Sequence, residues 1–152
     1  MWEADISLPP LNRDDAEAWI SFLMSLKGAS GTFLLNDPSA KTVRGTATSA
    51  VITGAVGASS VGVVMTGTLK AGDYLQLGAA GGARLHQVLE DISADGTVNI
   101  WPALRDTYTS STGTANLASP KGVFRLAQNV TSWSINSASA YGISFEAVEV
   151  IV

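Results

Sequence analysis

The chain has 152 residues, of which 46% are hydrophobic and only 14% charged, with a net charge of −4, no cysteine and one histidine. Nucleic-acid binding through phosphate contacts needs clustered Lys and Arg, and the nine basic residues here are scattered. Disulfides and thiolate metal sites are excluded, and no run reaches the ~18 uninterrupted apolar residues of a membrane helix.

Soluble domains usually carry roughly 25% charged residues. A surface so thinly charged is expected to lie largely against other subunits. The opening MWEADISLPP has no basic segment followed by an apolar run, so a secretory signal is not expected and assembly in a cytoplasm is.

In chain order, WEADISL reads as a strand that stops at Pro9 and Pro10. LNRDDAEAWISFLMSLKG follows as the one clear helix, because Ala16, Trp19, Ile20, Leu23 and Leu26 recur at helical spacing. Asn12 is its expected N-cap, Asp14 and Asp15 suit the positive end of the dipole, Lys27 falls in the last turn and Gly28 is the expected C′ residue. GTFLL is a short strand ended by the turn Asn36-Asp37-Pro38.

The middle of the chain is rich in Gly, Ala, Ser, Thr and Val. Its strand-like runs SAVITG, SVGVVMTG, DYLQLG, RLHQVLEDI and TVNIWPAL are separated by glycines or by the Asp95-Gly96 turn, a pattern that predicts a small barrel. The polar stretches PSAKTVRGT and TANLASPKG flank it. Residues 45–118 are therefore expected to form a small β-barrel domain inserted into a domain made of 1–44 and 119–152. In the latter, Thr131, Trp133 and Ile135 alternate with polar residues, as do Ile143, Phe145 and Ala147, so both ends of the chain are strand-forming and able to pair.

No catalytic constellation emerges. Gly78-Ala-Ala-Gly81-Gly82 is neither a dinucleotide fingerprint nor a P-loop, and no helix pattern opens after it; a hairpin tip is expected. His86 as a general base would need a nucleophile and an orienting acid, and Glu90 lies too far along the strand to serve. One His without Cys makes no transition-metal site. Asp91 and Asp95 do not have EF-hand spacing. Asn129-Val130-Thr131 matches the glycosylation triplet by chance. Trp2, Trp19 and Trp133 sit in patterned apolar positions and are expected in the core, whereas Trp101 stands before Pro102 at a strand end. Catalytic, cofactor-binding and metal-binding residues are all expected to be absent.

Three runs, residues 4–47, 69–105 and 119–151, together resemble distal-tail-like proteins, the tail-tip or baseplate hub ring components of long-tailed bacteriophages. The resemblance lies in a pattern of apolar positions and turns over nearly the whole chain. It implies a mainly β, tail-tube-like sandwich or barrel with one flanking α-helix, assembled into a ring that is typically six-fold. Implied partners are further copies of the chain, the tail tube protein and the hub or tip proteins of the same virion, with DNA only passing through the lumen and no membrane insertion. Relatives carry further strands ahead of the position of Trp2, so either a smaller sheet or a strand from a neighbour is implied. The alternative, from a different class, is a carbohydrate- or receptor-binding β-module of the tail tip that uses Tyr74, Trp101 and Tyr108 as a stacking surface.

Overall fold

In a computed structural model, which describes residues 1–151, the chain is mainly β with one α-helix and falls into two compact units. Met1–Phe33 and the segment from Phe124 onward form the first, and Leu34–Val123 the second.

The first unit is organised by strands β1 (Glu3–Ser7) and β10 (Tyr141–Glu149), which pair antiparallel from Glu3↔Val148 to Ser7↔Ser144. Alternation makes this possible: Ala4 and Ile6 turn inward while Glu3, Asp5 and Ser7 remain exposed. Across its other edge β10 pairs with β8 (Gly122–Leu126) and, further along, with β9 (Trp133–Ile135), while β2 (Thr32–Leu35) lies outside β8.

Helix α1 (Arg13–Ser25) starts where Asn12 Oδ1 accepts the Asp15 N–H at 2.9 Å, the cap expected from sequence. Its buried stripe of Ala16, Ile20 and Leu23, continued by Leu26, packs with Leu126 and Ile143. Half-buried Trp19, Phe22, Phe33 and Phe145 pack around this core, and Phe22 meets Phe33 edge-to-face with ring centroids 5.7 Å apart.

Two local expectations are corrected. The helix ends one residue early: Lys27 (φ 53°), not Gly28, is the first left-handed residue beyond the Leu26 cap, and Gly28 (φ 69°) follows it. Trp133 is not in the core. β9 is exposed along its whole length, with Trp133 at 38% and Ile135 at 56%, because no layer of the described residues covers this edge strand.

The second unit contains β3 (Ser49–Thr53), β4 (Ser60–Thr66), β5 (Tyr74–Leu77), β6 (Arg84–Val88) and β7 (Gly96–Trp101). They form one antiparallel sheet in the order β3-β4-β7-β6-β5, curled into a half-barrel. Its core is built from Ile52, Val61, Leu69, Leu75, Leu77, Val88, Val98 and Ile100, each at most 1% exposed.

The segment from Tyr108 to Asn116 bonds to both edge strands of that sheet. Ile52 and Ala115 donate backbone N–H groups to Gly113 and Ala50 at 2.8 and 2.9 Å, on the β3 side. Gln76 and Asn116 exchange a pair at 3.0 and 2.8 Å, on the β5 side. Only glycine fits at position 113, since a Cβ there would collide with the Ile52 carbonyl oxygen.

The unit is wider at both ends than the 45–118 span expected. Its flanks are tied down: Ser119 N–H donates to Lys41 O at 2.7 Å, and Lys121 N–H to Gln76 Oε1 at 3.0 Å.

Candidate functional site

The β5–β6 hairpin holds the histidine that the sequence singles out. Leu77↔Arg84 and Leu75↔His86 are directly opposed in its register. Opposed residues share a face, and Leu75 and Leu77 belong to the core, so Arg84 and His86 both point inward.

His86 is fully buried and its Nδ1 lies 2.8 Å from Pro102 O. A carbonyl only accepts, so Nδ1 carries the proton. The imidazole is thus fixed by packing and by the loop after β7.

The neighbouring carboxylates cap backbone groups. Glu90 Oε1 accepts the Asn99 N–H, Asp91 Oδ1 the Ala71 N–H and Asp95 Oδ1 the Met65 N–H, each at 2.9 Å. None of these bonds reaches His86. Among the described residues, no group of three or more His, Cys, Asp or Glu gathers to hold a metal.

The proposed aromatic surface is divided. Tyr74 pairs with Gln87, and Gln87 with Trp101, so Tyr74 and Trp101 share one row of the sheet two strands apart. Trp101 is 41% exposed and Tyr74 half-buried, but Tyr108 is a core residue at 8%. Burial raises the phenol pKa of Tyr74, with the Asp37 charge adding to it. Burial also raises that of Tyr108; the Asp106 charge adds to the rise and the Arg84 guanidinium opposes it.

Two residues were missed by sequence reasoning. Arg84, 6% exposed, places a permanent cation on the inward face. The signal was present in strand parity, since Arg84, His86 and Val88 alternate on one side of β6, but residue type argued for the surface. Asp73, 3% exposed, accepts three backbone N–H groups from residues as distant in sequence as Arg44. No local pattern announces that.

The first unit carries a cavity of about 330 Å³ lined by Asp5, Ser7, Gln128, Thr131, Ser144 and Glu146, among others. Asp5 and Glu146 are directly opposed across β1 and β10. Asn129, the glycosylation match, accepts the Ala29 N–H through Oδ1 at 2.9 Å and so fixes the turn after α1. No protein-family model and no curated protein matches the chain.

Proposed function

We propose that the protein is a structural component of a siphophage tail tip, forming a ring that continues the tail tube and connects it to the hub. The observation that carries this reading is β9, an edge strand whose Trp133 and Ile135 side chains are exposed beside the half-buried Tyr141 of β10. An exposed apolar edge is a template for another chain, and a head-to-tail contact that closes on itself generates a ring.

The acidic row of Glu3, Asp5 and Glu146, exposed on one face of β1 and β10, suits a lumen through which DNA slides without adhering. Sparse charge over the whole chain fits burial in an assembly. Among the described residues, no helix is long and apolar enough to cross a membrane.

Mass photometry and negative-stain imaging test the reading. Cyclic particles are expected, typically hexamers, with Trp133→Lys reducing them to monomers. A wild-type protein that stays monomeric and is absent from virions overturns it.

The row of Tyr74 and Trp101 favours a second reading, a carbohydrate- or receptor-binding module, because an exposed indole beside a second aromatic ring in one row of a sheet suits sugar stacking. A glycan screen that finds binding abolished by Trp101→Ala would support it.

A further inference from the structure

Arg84 opens β6 on the inward face, opposite the wholly buried Leu77. The strand's geometry therefore forces a guanidinium toward an apolar core. Among the described residues, the one hydrogen bond the Arg84 side chain makes is long, from Nη1 to the adjacent Ala83 carbonyl at 3.4 Å. Its Nε is buried and has no hydrogen-bond partner among the described residues. Among the described residues no carboxylate forms an ion pair with it.

An arginine cannot relieve this by losing its proton. Burying an unpaired ion is costly even after relaxation. With Nη1 turned to Ala83, the guanidinium edge formed by Nε and Nη2 is left, and that edge matches two oxygens of a planar or tetrahedral oxyanion.

The hairpin tip Ala80–Gly82 immediately precedes the buried Ala83, and Gly81 and Gly82 have open space where side chains would stand. The buried Tyr108 phenol lies near enough for its ionisation to respond to the Arg84 charge.

The geometry points to an oxyanion-binding site centred on Arg84, which takes a carboxylate or phosphate group through the Nε–Nη2 edge. This goes beyond the structural role above and does not depend on it. The oxyanion has two sources, a free ion or an acidic side chain of a second copy, and the chain carries 13 Asp and Glu residues.

Thermal unfolding of the full chain in sodium chloride, acetate and phosphate at matched ionic strength tests the site. Phosphate or acetate is expected to raise the wild-type midpoint by roughly 5–10 °C at a hundredfold excess over Kd. Arg84→Lys, which keeps the charge but loses the fork, is expected to show less than half that rise, and Arg84→Gln none. If the wild-type midpoint in chloride instead climbs with protein concentration, and sedimentation shows an association that Arg84→Lys loses, the oxyanion is a carboxylate of another copy. A wild-type midpoint indifferent to all three salts and to concentration overturns the site, as does an equal phosphate response in wild type and Arg84→Lys.

Discussion

Asp73 holds Arg44 by its backbone. One oxygen of the carboxylate accepts the Arg44 N–H at 2.6 Å, and the other accepts those of Gly45 and Lys70 at 3.2 and 2.8 Å. A single buried side chain thereby fastens the segment leading into β3 to the turn before β5. Asp73→Ala strands three donors together, and breaking such a shared network falls in the upper range of single-mutation losses. A loss of roughly 3–5 kcal/mol is expected in urea unfolding with the m-value unchanged, and Asp73→Asn should fall between this and wild type.

The helix cap supplies a smaller, local test. Because Asn12 Oδ1 serves the Asp15 N–H, Asn12→Ala should lower stability by about 1 kcal/mol, whereas Asn12→Asp should stay within a few tenths. Equal losses in the two variants would mean that the side-chain acceptor does not matter.

Core and edge should separate cleanly. Leu75 is fully buried and Ile20 nearly so, so truncating either to alanine is expected to cost about 2–5 kcal/mol. Trp133, in spite of its size, stands outside both cores. Trp133→Ala should cost under ~1 kcal/mol in a monomer, as surface changes do, and a core-sized loss would show that β9 is covered in solution.

Alkaline pH should weaken the second unit through Tyr108. Its folded pKa is raised above 10.0 by burial first and then by Asp106. The contribution is therefore complete below the ordinary tyrosine pKa and is lost as pH rises through that value toward the folded one. Unfolding midpoints measured between pH 8 and about 11.5 should fall less steeply for Tyr108→Phe than for wild type.

Excision should be tolerated where the chain already closes on itself. The Lys41 carbonyl accepts the Ser119 N–H at 2.7 Å, so residues 42–118 can be replaced by two or three glycines with little loop-closure entropy. The remaining chain is expected to keep its helical circular dichroism and to unfold cooperatively. A molten product would show that its core needs the excised residues.

Much of this fold was legible because its signals are local. The spacing of Ala16, Ile20, Leu23 and Leu26 identified the helix and its buried face, and Asn12 its start. Glycine-bounded runs located all five strands of the second unit. Trp133 failed because alternation reports which face a side chain shares, not whether anything covers that face. Lys27 took the left-handed position in place of Gly28 because the chain turns one residue sooner than the glycine suggests. The flanks of the second unit were missed because Gln76 reaches Lys121 over 45 residues, a link visible only after folding. Arg84 was hidden by its chemistry, since strand parity and charge gave opposite answers and parity prevailed.

The union of the chain's two ends also bears on the order in which the protein is written. Trp2 N–H donates to Glu149 Oε2 at 3.1 Å, and the Glu149 N–H donates to Trp2 O at 2.9 Å. A short linker running from beyond β10 back to the residues before β1, with new termini opened at the exposed Gly81 and Gly82, would give a circular permutant with every strand pairing intact. Sequence order is then incidental to this architecture, and a fused cargo or label can be carried at the hairpin tip, away from the paired strands β1 and β10.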